Sequence, residues 1–166
     1  MGFSTEMTNA AADLLSHAAR RGWTIGVAES LTGGLVQGAL TSVAGCSRHF
    51  RGGVVAYHSD LKSRLLSVSE GRLAEHGPVD HVVSEQMAAG VAQLVGADVG
   101  VATTGVAGPG PADGHDAGTV HLAVVAPNGS VHRACQFSGG RDEVRRAATQ
   151  TVLELACELL TGDTHA

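Results

Sequence analysis

Ser30 and Lys62 are the residues of this 166-residue chain whose types could support covalent chemistry together, with Tyr57 and Thr104 as candidates to assist them. A serine hydroxyl becomes a nucleophile only when a neighbouring base takes its proton, and a lysine can be that base. The lysine must then be neutral, although its unperturbed pKa is about 10.4. Burial or a nearby cation would have to lower it. Tyr57 stands five residues before Lys62 and can hydrogen-bond either partner. The competing reading makes Lys62 a solvated helix lysine.

Ser30 lies in the stretch Thr24-Ile25-Gly26-Val27-Ala28-Glu29-Ser30-Leu31-Thr32-Gly33-Gly34. Its apolar first half reads as a buried strand. Its polar, Gly-rich second half leads into Leu35, Val36, Ala39, Leu40 and Val43 at helical spacing. Ser30 therefore sits where a strand hands over to a helix, near backbone N–H groups that attract anions. Gly33 and Gly34 carry no Cβ, so a ligand can approach their backbone. The alternative is structural: Ser30 or Thr32 caps the helix and the glycines shape the turn.

Polar clusters fall at the ends of predicted strands: Glu29, Ser30 and Thr32; Tyr57 with Lys62; Thr103 and Thr104 with the loop Gly105-Val106-Ala107-Gly108-Pro109-Gly110-Pro111. Ligands of open α/β sheets bind outside the carboxyl ends of the strands, so these clusters meet if their strands are parallel. Arg141, Arg145 and Arg146 open the last predicted helix, where cations oppose the helix dipole. Either an anionic ligand lies nearby or the arginines are simply solvated. The nine histidines form no HxxxH or Cys/His array, so no metal site is expected. His115-Asp116 reads as a solvated pair in a flexible loop, and no GxSxG elbow is present.

The elements that must position these groups follow from periodicity. Met7, Ala11, Leu14, Leu15 and Ala18 predict an amphipathic helix from about Thr5 to Arg21, ended by Gly22. A strand to about Ala28 and a helix from about Thr32 to Val43 follow. Phe50 to Tyr57 reads as a strand, with short helices at 58–66 and 70–76. Ser84 is a plausible N-cap for a helix carrying Met87, Val91, Leu94 and Val95. Asp98 to Thr103 reads as a strand. Pro127-Asn128-Gly129 separates strands at 117–126 and 130–137 as a hairpin. Arg141 to Leu160 predicts a long helix, with a frayed tail after Thr161. The fold class expected is α/β, a three-layer α/β/α sandwich on a mixed, mostly parallel sheet with a C-terminal antiparallel hairpin. No repeat or linker divides residues 1–166, so one domain is expected, with an ordered core from about 8 to 160.

Composition sets the outer bounds. Hydrophobic residues make up 43% and charged ones 16%, a globular balance. Aromatics are only 3%, so the core must be Val, Ala and Leu. The net charge of −5 argues against a nucleic-acid partner but allows a small phosphorylated ligand held by one or two arginines. No apolar run suits a membrane. Cys46, Cys135 and Cys157 lack metal spacing, and Met1 to Asn9 lacks the apolar core of a secretory signal. Reduced thiols in a cytoplasmic protein are expected.

Taken together, Ala28 to Gly34, Tyr57 to Lys62, Thr104 to Pro109, Gly118-Thr119-Val120 and Phe137-Ser138-Gly139-Gly140-Arg141 with Val144-Arg145 resemble the C-terminal domain of the competence/damage-inducible CinA family. That domain also occurs alone as a nicotinamide-nucleotide amidase. The resemblance runs from about residue 8 to 160. It implies a three-layer α/β/α fold, commonly dimeric. It also implies hydrolysis of the carboxamide of nicotinamide mononucleotide to nicotinic acid mononucleotide and ammonia, without a cofactor. By motif, Ser30 would be the nucleophile and Lys62 its base, with Tyr57 and Thr104 positioning substrate or supporting the pair. Glu29, Thr32, Gly33, Gly34, Gly105 and Gly108 would border the substrate. Backbone N–H groups near 32–34 or 105–108 would stabilise the oxyanion, and Arg141 or Arg145 would face the 5′-phosphate. The chain departs from the family at Leu31, usually Cys, and in the loop 111–117, which lacks the usual Lys-Pro pair. A non-catalytic nucleotide- or partner-binding module, or hydrolysis of another small amide or ester, are the other readings.

Overall fold

The computed structural model describes residues 2–162; of the tail expected to fray, residues 163–166 lie outside the described residues. In chain order the elements are α1 (Thr5–Arg21), β1 (Ile25–Glu29), α2 (Leu35–Thr41), β2 (Phe50–Val55), α3 (Ser59–Leu66), α4 (Glu70–His76), α5 (His81–Val95), β3 (Val99–Gly105), β4 (Thr119–Ala126), β5 (Gly129–Gln136) and α6 (Arg141–Thr161). The five strands form one sheet in the order β2-β1-β3-β4-β5. β1 is parallel to both β2 and β3, and only β4 runs the other way. The expected mixed, mostly parallel sheet ending in an antiparallel hairpin is what the chain builds.

Side-chain alternation along the strands sorts the two faces by size. Ile25 and Val27 of β1, Val99 and Val101 of β3, and Val120, Leu122 and Val124 of β4 all join one core with α1, α2 and α6. The intervening Ala28, Ala102 and Ala123 join the opposite core, with Val83, Met87, Ala88 and Val91 of α5. Gly26 and Gly100 fall in this same alternate set. The small face lets α5 lie close to the sheet: a Cβ at Gly100 would run into the Ala88 carbonyl. Valine, alanine and leucine do fill most of the interior, as the scarcity of aromatics requires.

Boundaries differ from the periodic reading at two helix starts. α2 begins at Leu35 rather than near Thr32, because Gly33 and Gly34 take positive φ values of 58° and 103° and break the helical path. The N-cap of α5 is Asp80, not Ser84, since the Asp80 carboxylate accepts from the Val83 N–H at 3.1 Å. Ser84 is buried inside the helix and donates to the His81 carbonyl. Asp80 is fixed by Arg72, whose Nε and Nη2 both donate to it at 2.8 Å. In the loop containing His115, Ala112 and His115 exchange backbone hydrogen bonds around a tight turn. Among the described residues no helix is long and apolar enough to cross a membrane.

Candidate active site

The neighbouring, parallel strands β2, β1 and β3 end together, and this brings the three polar clusters to one edge. The β1 ladder continues one step beyond the strand, where the Ser30 N–H donates to the Thr103 carbonyl at 3.1 Å. On the other side the Ala56 N–H donates to the Glu29 carbonyl at 2.8 Å. These two bonds hold the chain at Ser30 between its neighbours. The Ser30 side chain then points to the face occupied by α3 and α5, in phase with Ala28.

Lys62 comes to it from the first turns of α3. Its stem runs inward and its residue exposure is only 1%. The Nζ lies 3.1 Å from Ser30 Oγ and donates to the Ala56 carbonyl at 2.8 Å. Burial pushes the Lys62 pKa down from 10.5 to about 8, with the Asp113 charge pulling it partly back up. A neutral amine has two N–H donors and one lone pair. One N–H satisfies Ala56, leaving the lone pair free to accept the Ser30 proton. The solvated-lysine reading does not survive this placement.

Ser30, Tyr57, Lys62, Thr104, Gly105, Gly108 and Arg141 line a cleft of about 190 Å³, together with the loop from Val106 to Asp113. Ser30 itself is 7% exposed, on the cleft floor. Thr104 is buried and donates its hydroxyl to the Pro78 carbonyl at 2.8 Å, so it shapes the wall. Tyr57 is 57% exposed at the rim, and its hydroxyl accepts from Arg141 Nη2 at 3.0 Å. Arg141 Nη1 donates to the Gly108 carbonyl at 2.8 Å, which ties the start of α6 to the glycine-proline loop across the mouth.

Glu29, Thr32, Gly33, Gly34 and Arg145 are not on the cleft lining. Glu29 is 0% exposed, and its carboxylate accepts from the N–H groups of Gly34, Val36 and Gln37 at 3.1, 3.1 and 2.9 Å. It is the cap of α2, supplied from the end of the preceding strand, and neither Ser30 nor Thr32 plays that part. Thr32 instead pairs its hydroxyl with that of Thr103 at 2.8 Å. Arg145 donates to the Leu31 and Thr32 carbonyls at 2.9 and 3.2 Å, and Arg146 pairs with Asp142. Arg145 is thus tied into the turn after Ser30, whereas Arg141 is exposed at the rim and Arg146 lies in a solvent-exposed ion pair.

The same bonds narrow the backbone groups open to a ligand. The Gly33 N–H is closed on the Ser30 carbonyl and that of Gly34 on Glu29. Among the described residues, the N–H groups of Leu31, Thr32, Ala107 and Gly108 have no acceptor within the protein. Asp113 was not singled out by sequence reasoning. The Asp113-Gly114 pair was the available signal, since it favours a tight hairpin turn. No cluster of metal-binding side chains is present among the described residues.

This is an α/β protein with a buried serine–lysine pair at the carboxyl edge of its sheet, opening into a cleft roofed by a glycine-proline loop. The chain belongs to the CinA C-terminal domain family, which it matches over residues 7–160. It is 44% identical over 143 residues to a CinA-like protein of Frankia casuarinae, across 86% of this chain and 33% of that one. A putative competence-damage inducible protein of Desulforamulus reducens is 40% identical across 85% of this chain and 34% of its own length. The chain thus spans about a third of these curated relatives. The crystal structure of competence/damage inducible protein CihA from Agrobacterium tumefaciens superposes with a TM-score of 0.91 at 36% identity, covering 96% of this chain and 98% of that one. A CinA superfamily protein of Escherichia coli gives a TM-score of 0.88 at 29% identity, over 97% of this chain and 94% of that one.

Proposed function

We propose that the cleft hydrolyses the carboxamide of nicotinamide mononucleotide, giving nicotinic acid mononucleotide and ammonia, in pyridine-nucleotide salvage. The observation that carries this reading is the 3.1 Å approach of Lys62 Nζ to Ser30 Oγ on the cleft floor. Ser30 Oγ attacks the carboxamide carbon while Lys62 Nζ takes the hydroxyl proton. The tetrahedral oxyanion is met by backbone N–H groups from Leu31–Thr32 and Ala107–Gly108. Lys62 then passes its proton to the departing nitrogen, which leaves as ammonia. A water molecule attacks the ester on Ser30, giving its proton to Lys62. Collapse releases the carboxylic acid, which gives its proton to solvent and becomes the carboxylate, and the proton on Lys62 returns to Ser30 Oγ. Tyr57 and Thr104 position the substrate, and Arg141 at the rim faces the 5′-phosphate. The chemistry asks for no cofactor. The family resemblance extends the reading to a cytoplasmic homodimer, which sedimentation of the purified protein tests.

The test is incubation with nicotinamide mononucleotide while following ammonia, for the wild type, Ser30→Ala and Lys62→Ala. Each variant should lose about a thousandfold or more in kcat. Full activity in either rejects the pair. Saturable binding without ammonia release selects the other reading, a nucleotide-binding module, which the missing lysine of the loop 111–117 favours.

A further inference from the structure

Resting on that reading and deepening it, we propose that Asp113 is the residue that selects ligands whose ring carries a positive charge. Asp113 and Gly114 form the centre of the two-residue turn closed by Ala112 and His115, with backbone hydrogen bonds of 3.0 and 2.9 Å. Their φ values of 52° and 79° are both positive, as a type I′ turn requires. This tight turn places Asp113 on the cleft wall with Ser30, Lys62 and Arg141.

The charge pattern gives the selection. Asp113 is the only carboxylate among the described residues lining the cleft. No described side chain forms an ion pair with it; it is solvent-exposed on the cleft wall, and its charge reaches Lys62 inside the cleft. With Lys62 neutral as a base, the cleft holds one cation, Arg141, and one anion, Asp113. The complementary ligand is a zwitterion, with an anionic phosphate toward Arg141 and a cationic ring toward Asp113. The pyridinium nucleotide has that form. A neutral carbocyclic isostere, the ribose 5′-phosphate of benzamide, does not.

Asp113→Asn separates charge from shape, because Asn occupies the left-handed region as readily as Asp. The measurement is kcat/KM for the pyridinium nucleotide relative to the benzamide isostere, in the wild type and in Asp113→Asn. Any effect of the substitution on Lys62 cancels in this ratio. The ratio should fall roughly 3- to 10-fold in the variant, the range for a partly solvated ion pair. An unchanged ratio, with the wild type still releasing ammonia, overturns the role of Asp113 and leaves the amidase reading intact. The same ratio of Kd values, measured by calorimetry in a Ser30→Ala background, decides the matter if neither compound is turned over. Turnover failure alone then counts against the amidase, whereas loss of binding of both compounds overturns both claims.

Discussion

Glu29 and Ser30 are adjacent at the end of one strand, and their side chains leave it on opposite faces. Glu29 follows Ile25 and Val27 to the side of α2, where it accepts from Gly34, Val36 and Gln37. Ser30 follows Ala28 to the side of α3, where Lys62 Nζ stands 3.1 Å from its hydroxyl. One peptide therefore joins the anchor of a helix to the candidate nucleophile. Glu29→Gln removes the charge and turns an amide donor toward N–H groups that need acceptors. It should cost about 2 kcal/mol in stability and lower kcat by displacing Ser30. Urea denaturation and steady-state kinetics measure the two effects. Unchanged stability would contradict the capping role.

The arginines of α6 divide in the same way. Arg145 holds the Leu31 and Thr32 carbonyls, whereas Arg141 sits at the rim on Tyr57 and Gly108. Arg145→Ala should destabilise the fold by about 1–3 kcal/mol, the cost of losing hydrogen bonds from a charged donor. Arg141→Ala should leave stability nearly unchanged and raise KM for a phosphorylated substrate about tenfold. Thermal melts beside KM values for both variants check the division, and the reverse pattern would refute it.

In the proposed reaction Lys62 should set a pH dependence of rate. Its pKa is lowered to about 8, and only the neutral amine can take the Ser30 proton. The kcat/KM for nicotinamide mononucleotide should therefore climb with pH and level off above about 8. A rate that is flat between pH 6 and 9 (roughly one unit or more either side of that value) would remove the lysine from the reaction.

The same group makes stability depend on pH in a definite direction. Its pKa is about 8 when folded and 10.5 when unfolded, so between these values the unfolded chain holds the extra proton. Stability therefore rises as pH climbs through this window, by up to about 3 kcal/mol, and the penalty is present in full below about 8. Lys62→Met should abolish this rise. Urea midpoints of the two proteins at neutral and alkaline pH give the comparison, and parallel curves would exclude it.

A histidine stack on the α5 side of the β4–β5 hairpin should govern the acid limb of stability. His132 stacks on His81 with ring centroids 3.9 Å apart and lies 2.9 Å from His121. Burial, and then the neighbouring His81 and His121, push its pKa down from 6.5 to about 4, against the weaker pull of Glu85 and Asp80. Between these values the unfolded chain binds the proton first, so stability falls as pH drops from 6.5 toward 4. His132→Gln should make that fall shallower, which guanidine titrations at several pH values measure. An unaltered slope would rule His132 out.

Much of the scaffold was legible along the chain because it depends on local periodicity. α1 and α4 begin and end where the apolar spacing and glycines place them, and Pro127-Asn128 turns β4 into β5. The clusters at Ser30, Tyr57–Lys62 and Thr104 were visible as polar residues at strand ends. Even the division between Glu29 and Ser30 is implicit in the alternation of large and small residues from Ile25 to Ala28. What the line of residues could not contain is which distant group meets each side chain. Asp80 displaces Ser84 as the cap of α5 because Arg72, on the previous helix, fixes its carboxylate. Arg145 reaches the turn after Ser30 only because α6 crosses back over the sheet. Sequence patterning determined the strands, the faces and the residues capable of chemistry, since these follow from periods of a few residues. The order β2-β1-β3, and the burial it imposes, alone decided that an amine 32 positions away would stand beside a hydroxyl with its pKa pushed down to about 8. Contact and desolvation belong to the packed chain, not to its spacing.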